Sequence, residues 1–318
     1  MLKLKDFLAA QKRIKGVAVR TPLVACASCP PPDQLFLKLE SLQPIGSFKL
    51  RGAYNKIASL SKAERKRGVI AHSSGNHAQG VAYAARAVGC KAVIVLPNSA
   101  PKIKLEATKA LGAQIVIVGP NSADRVEMAD KLAAEHGYVL VPPYNDEQII
   151  AGQGTIGLEI YEDMKDVDVV LVPVSGGGII SGISTAIKAR KRKIKVIGVE
   201  PELAADARAS LHAGKLVKWD PAQVGRTIAD GLRTTPVGAI PFEYISRFVD
   251  DIVTVSEDDI RAAVKKLLLE SRILAEPSGA VTSAAFFFHR DTLPKAKKTV
   301  AVVSGGNIAP EMLREILA

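Results

Sequence analysis

The chain has 318 residues, 47% of them apolar, and carries 43 Lys and Arg against 32 Asp and Glu, a net charge of +11. This length suggests roughly two domains around large cores, and the apolar content excludes a disordered chain. The basic balance points to anionic partners, but only 5% of residues are aromatic. That is too few for the stacking platform of a nucleic-acid binder, and a small phosphorylated or carboxylated ligand fits better.

The first segment, MLKLKDFLAAQKRIKG, reads as an amphipathic helix. Its charges interrupt every apolar run, so it resembles neither a secretory signal nor a membrane span, and a soluble cytoplasmic protein is expected. The loop CASCPPPDQ follows, with Cys26 and Cys29 as a lone CxxC. Zinc needs two more ligands, and no second CxxC or HxxxH exists. Two small loop residues that happen to be cysteine is the simpler reading.

Short Val- and Ile-rich runs then recur: 34–40, 68–74, 91–98, 113–119, 169–174, 195–200, 251–256 and 299–306. Their lack of alternation predicts parallel strands buried on both faces. Between them, 122–137 and 256–272 carry apolar residues at helical spacing, the second opening with Ser256 ahead of Glu257 and Asp258. A serine cap and early acids suit a helix start. The fold class is therefore α/β, with two open wound sheets. The polar, proline-bearing stretch 141–148 is a candidate domain boundary.

Four segments place backbone N–H groups or small polar side chains directly after a strand. SFKLRGA (47–53) sets Lys49 between Phe48 and Leu50. Loss of hydration lowers a lysine pKa and frees the amine as a nucleophile, although most such lysines reach water. SSGNHAQG (73–80) gathers Ser73, Ser74, Asn76 and His77 at a predicted helix start, where a carboxylate or phosphate is favoured. VSGGGIISG (174–182) puts Gly176, Gly177 and Gly178 between a strand and a helix, an arrangement suited to phosphate. It is also a near-match to a dinucleotide fingerprint with Glu200 as the acid, but its third glycine, Gly182, falls one residue late. VVSGGN (302–307) closes a strand with Ser304, whose neutral hydroxyl suits a ring nitrogen.

Together with AGQGT (151–155) and EPSGA (276–280), these segments resemble the fold-type II pyridoxal-phosphate enzymes, within the serine/threonine dehydratase and serine racemase family. The likeness spans nearly the whole chain, with the motifs in the same order. It implies that Lys49 bonds covalently to pyridoxal 5'-phosphate and acts as the catalytic base. Phe48, Asn76 and Glu276 would join the cofactor set, and Ser175, Gly176, Gly177, Gly178 and Ile179 would hold the phosphate. The family more often has glycine where Ser175 stands. Ser304 would bond the pyridine nitrogen, and Ser73, Ser74, Asn76 and His77 the substrate carboxylate. Ser74 matches the second catalytic group of the racemases, and Arg125 matches an arginine suited to a distal carboxylate, whereas Tyr144 matches the dehydratases. Glu200, the Ala204 carbonyl and Asp206 resemble a magnesium or calcium site.

The resemblance implies an ammonia-lyase acting on L-serine- or L-threonine-type amino acids. Serine racemase or 3-hydroxyaspartate dehydratase is the alternative, and a non-catalytic amino-acid or dinucleotide binder the rival class. A homodimer is implied, with a large domain of 1–67 and 147–318 and a small domain of 68–146. No regulatory domain is expected beyond the SGGN motif.

Overall fold

The computed structural model describes residues 1–29, 31–73, 75–98, 102–119 and 122–318. Ten strands lie in the described residues: β1 (Leu23–Ala25), β2 (Gln34–Leu39), β3 (Val69–His72), β4 (Ala92–Pro97), β5 (Gln114–Val118), β6 (Val139–Leu140), β7 (Val169–Pro173), β8 (Lys195–Pro201), β9 (Asp251–Val255) and β10 (Lys298–Val303). They form a six-stranded sheet, ordered β1-β2-β10-β7-β8-β9, and a four-stranded sheet, ordered β5-β4-β3-β6. All pairs are parallel except β1 with β2. The two sheets and the parallel pairing match the expected α/β architecture.

Burial explains the strands. Every residue of β4 and of β7 is buried, which a parallel strand covered by helices on both faces requires. Each fully buried Val, Leu or Ile contributes about 1.5–3 kcal/mol relative to exposure. β1 and β6 escaped prediction because three and two residues carry no readable period.

The connecting helices are set by local chemistry. Ser256 caps Glu257–Ser271 as expected, accepting from the Asp259 N–H in a reciprocal capping box. Asp146 caps Glu147–Asp163, its carboxylate accepting from the Gln148 and Ile149 N–H groups at 2.8 and 3.0 Å. That helix is buried from Ile149 to Ile160 and lies against two others, Lys49–Ser59 and Gly178–Arg190. The first crossing is close: a Cβ on Gly152 would stand 2.6 Å from the Arg51 carbonyl oxygen. Residues Leu50, Ala53 and Ile57 share a core with Val69, Ala71, Ile94 and the helix Asn76–Ala87. The helix that begins at Lys49 therefore packs on the smaller sheet, while its entry follows β2 of the larger one. Among the described residues no helix is long and apolar enough to cross a membrane.

Candidate active site

The register of the large sheet brings the expected motifs together. Leu39 at the end of β2 is opposite Val303 at the end of β10, so the residues that follow each strand emerge side by side. They are then stitched by backbone hydrogen bonds. The Phe48 N–H donates to the Ser304 carbonyl at 3.0 Å, the Gly306 N–H to Gly46 at 2.9 Å, and the Glu276 N–H to Gly305 at 3.0 Å. Lys49, Ser304 and Glu276 are thus fixed by main chain, although more than 250 positions separate the first two in the sequence.

Side chains tie in the smaller sheet. The helix Asn76–Ala87 starts at Asn76 after β3. The Asn76 amide donates to Glu276 Oε1 at 2.7 Å and accepts from the Asn307 amide at 2.7 Å, while Asn307 also donates to the Ile45 carbonyl at 2.8 Å. The Ser73 hydroxyl accepts from the Gly75 N–H at 3.3 Å. The His77 ring turns inward to the Val141 carbonyl at 2.8 Å, and burial pushes its pKa down to about 3, so it is neutral. Ser74 lies outside the described residues.

The Lys49 amine donates to the Pro143 carbonyl at 2.9 Å and stands 5.1 Å from the centre of the Phe48 ring. Burial pushes its pKa down to about 8. The residue as a whole keeps some exposure.

The glycine loop packs against Tyr144, the residue after the Pro143 that accepts from Lys49. Gly177, in the left-handed region at φ 91°, caps the helix Gly178–Arg190, whose N-terminal N–H groups are of the kind that can receive an anion. A Cβ on Gly176 would stand 2.3 Å from the Tyr144 ring, so only glycine fits under that ring. Ser175 keeps an ordinary backbone and spends its hydroxyl on the Thr234 N–H at 3.1 Å. Ile179 is buried at 6% exposure in the first turn. Gly182, the late third glycine, has a packing cause: its Cβ would stand 2.4 Å from the Ile150 carbonyl oxygen. The near-match to a dinucleotide fingerprint therefore reflects helix crossing. The Ser304 hydroxyl is buried and donates to the Ser278 carbonyl at 3.4 Å, a long bond that leaves the oxygen's acceptor side open.

At the end of β8, Glu200 is fully buried and accepts from the Ala207 and Arg208 N–H groups at 3.1 and 2.8 Å. Its pKa is raised well above the carboxylate range, by burial and then by Asp206. Asp206 is 1% exposed and neither of its oxygens has a hydrogen-bond partner of ordinary geometry. Burial pushes it up to about 6, with only partial relief from nearby Val237 and Thr235. Ala204, in the turn Glu202–Ala204 that joins them along the chain, is buried. Among the described residues no group of three or more His, Cys, Asp and Glu gathers as a metal site, so a cation here would rest on two carboxylates and a carbonyl. Arg125, on the helix Ser122–His136, has a buried Nε without a partner, and its charge adds to burial in lowering the His72 pKa.

Asn307 and the Pro143 carbonyl were not singled out from the sequence. Asn307 closes the SGGN motif and was readable there; a backbone carbonyl carries no residue signal.

The chain matches the model of the family described as pyridoxal-phosphate dependent enzyme over residues 14–305. It is 46% identical over 320 residues to the L-threonine ammonia-lyase of Thermotoga maritima, covering all of this chain and 78% of that one. Its fold superposes on the processed form of threonine deaminase isoform 2 from Solanum lycopersicum with a TM-score of 0.91 at 37% identity, covering 98% of this chain and 92% of that chain. The serine racemase of Dictyostelium discoideum gives a TM-score of 0.91 at 37% identity, over 97% of this chain and 99% of that chain. The chain belongs to the fold-type II pyridoxal-phosphate dependent enzymes, in the serine/threonine dehydratase and serine racemase family.

Proposed function

We propose that the chain is an L-threonine and L-serine ammonia-lyase, converting β-hydroxy amino acids to 2-oxo acids and ammonia. One observation carries the reading. Where Phe48, Asn76, Glu276, Ser304 and the glycine loop converge, a lysine amine stands desolvated with a single carbonyl partner.

The residues present fit pyridoxal phosphate. The glycine loop packs closely against Tyr144 because Gly176 and Gly178 lack a Cβ, its N–H groups stand at a helix start, and the Ser304 hydroxyl is buried with free acceptor capacity. The N–H groups of Ser175 to Ile179 would hold the phosphate, Ser304 the ring nitrogen, and Phe48, Asn76 and Glu276 the ring edge. When bound, the cofactor supplies an aldehyde that joins an amine and a ring that withdraws electrons from the substrate α-carbon. Ser304 cannot protonate that ring as an aspartate would, which suits loss of a β-substituent over full carbanion chemistry.

The protein's own groups do the rest. Ser73, Ser74 and the N–H groups at Asn76 and His77 orient the substrate carboxylate at a helix start. The Lys49 Nζ, with its pKa near 8, takes the α-proton, because a base works best when its pKa is close to the working pH. Glu200, the Ala204 carbonyl and Asp206 hold a magnesium or calcium ion, a role supported by the partnerless Asp206 oxygens. The proposed assembly is a cytoplasmic homodimer, each chain with a large domain of 1–67 and 147–318 and a small domain of 68–146.

A second reading, racemisation or 3-hydroxyaspartate dehydration, is favoured by the buried, unpartnered Nε of Arg125, which suits a distal carboxylate. Ser74 would then supply the second proton. A panel of L-serine, D-serine, L-threonine and the 3-hydroxyaspartates, with oxo acid and enantiomer both measured, separates the readings. Lys49→Ala is expected to abolish oxo-acid release and the violet-edge absorption of the attached cofactor. A Lys49→Ala protein that retains both would overturn the proposal.

A further inference from the structure

Cys26 and Cys29 lie outside the active site, just beyond β1. The Cys29 N–H donates to the Cys26 carbonyl at 3.0 Å. Such a bond closes a four-residue turn whose end Cα atoms lie within about 7 Å, close to the span a disulfide bridges. The Cys26 N–H is itself bonded to the Leu35 carbonyl at 2.8 Å, which anchors the turn to β2.

The side chains are arranged for thiol chemistry. The Cys26 sulfur lies 3.4 Å from the Ser28 hydroxyl and 3.5 Å from the Ser271 hydroxyl at the end of the helix Glu257–Ser271. Its electrostatic coupling to the Cys29 thiol first, with the serine hydroxyls, holds the Cys26 pKa down at about 5, and the same coupling raises that of Cys29. Cys26 is 3% exposed, whereas Cys29 is partly open to solvent. Cys90 is separate, its thiol donating to the Arg65 carbonyl at 3.2 Å. A buried thiolate behind a reachable thiol is the arrangement of a resolving and an entry cysteine.

We propose that Cys26 and Cys29 are a reversible dithiol–disulfide couple, oxidised by a small-molecule disulfide of the glutathione type. The Cys29 proton passes to Cys26, and the Cys29 sulfur attacks the external disulfide, breaking its S–S bond and releasing one thiolate. Cys26 then gives up its proton and attacks the Cys29 sulfur of the mixed disulfide. The Cys26–Cys29 bond forms and the second external thiolate leaves. The two protein sulfurs together lose two electrons and one external disulfide is reduced to two thiolates, which take up the one proton held by the cysteine pair and one from solvent.

The test uses the cofactor-loaded protein, incubated with oxidised glutathione, alkylated and digested with trypsin. Cleavage after Arg20 and Lys38 leaves both cysteines on one peptide, 21–38. The expected product is that peptide two hydrogens lighter, free of glutathione and alkylating agent, and restored by dithiothreitol. Cys90 stays fully alkylated. Cys26→Ser is expected to trap glutathione on Cys29, and Cys29→Ser to block the reaction. Wild-type protein that accumulates stable glutathione on Cys29, or that keeps both thiols alkylatable in excess oxidant, overturns the proposal without recourse to either variant.

Discussion

Lys49 and Arg51 are cations two residues apart on one helix, and their surroundings are opposite. The Arg51 guanidinium makes two-pronged bonds to Glu40 (2.7 and 2.8 Å) and to Glu159 (2.7 and 2.8 Å). The Lys38 amine bonds Glu159 at 2.6 Å and the Thr21 carbonyl at 2.6 Å, and the Thr21 hydroxyl donates to Glu40 at 2.6 Å. All four charged residues are nearly or fully buried, two positive against two negative, so each is compensated. Although burial opposes it, the two carboxylates hold Arg51 firmly charged. Lys49 has one carbonyl and no counter-ion, and its pKa falls. Asp206 is the acidic counterpart of Lys49, buried, without a counter-ion or a hydrogen bond of ordinary geometry, and raised by burial to about 6. Paired buried charges fix the frame: they tie β2, the lysine-bearing helix and the helix Glu147–Asp163 into one unit. Unpaired ones are where an external group is wanted.

The sharpest way to break this contrast is Arg51→Met. It leaves Glu40 buried without its cation and Glu159 with Lys38 alone, and the expected loss is about 3–5 kcal/mol of stability, read by denaturant unfolding. A neutral result would mean that the four charges hold nothing in place.

Asp206→Asn should act in the other direction. Removing an unpaired buried charge is expected to stabilise the chelator-treated protein by about 1–2 kcal/mol and to abolish the response to added cation. Wild type should gain about 2.7 kcal/mol at a cation concentration of one hundred times Kd. A wild-type melting curve unmoved by magnesium, calcium or chelator would leave Glu200 and Asp206 as mere buried acids.

Lys49 gives a pH signature. Folding lowers its pKa to about 8, so the folded chain prefers the neutral amine. The destabilising cost is fully present below pH 8 and is relieved as pH rises toward the unfolded value of about 10.4. Capture of pyridoxal phosphate by cofactor-free protein needs the neutral amine. Its rate is expected to rise about tenfold per pH unit below 8 and then level off. A midpoint near that of a free lysine would show the amine to be fully hydrated.

The smallest effect is expected at Arg20, which also pairs with two acids, Glu162 at 2.6 Å and Asp163 at 2.5 Å, but with its side chain 48% exposed. Arg20→Ala should cost about 1 kcal/mol or less, diminishing further in high salt. The comparison with Arg51→Met isolates burial as the variable.

Much of this was legible along the chain. β4 and β7 announced themselves as unbroken apolar runs because both of their faces are covered. The Ser256 cap was readable because its donor and acceptor lie three residues apart. Lys49, Asn76, the glycine loop and Ser304 were readable as motifs. Their convergence was not, since it depends on Leu39 meeting Val303 across the sheet. Lys38 gave no warning: a lone lysine in an apolar strand looks the same whether it reaches water or a buried carboxylate. The His77 ring turns to Val141, which the sequence did not foretell and which leaves its backbone N–H for the expected role at the substrate carboxylate.

The sequence by itself determined the class of fold, the family and the inventory of reactive groups, because backbone pattern and motif spacing are local properties. Tertiary structure alone decided which charges are paired, which amine is desolvated and which carboxylate has no partner. Those outcomes depend on contacts between residues far apart in the chain and on the loss of water around them.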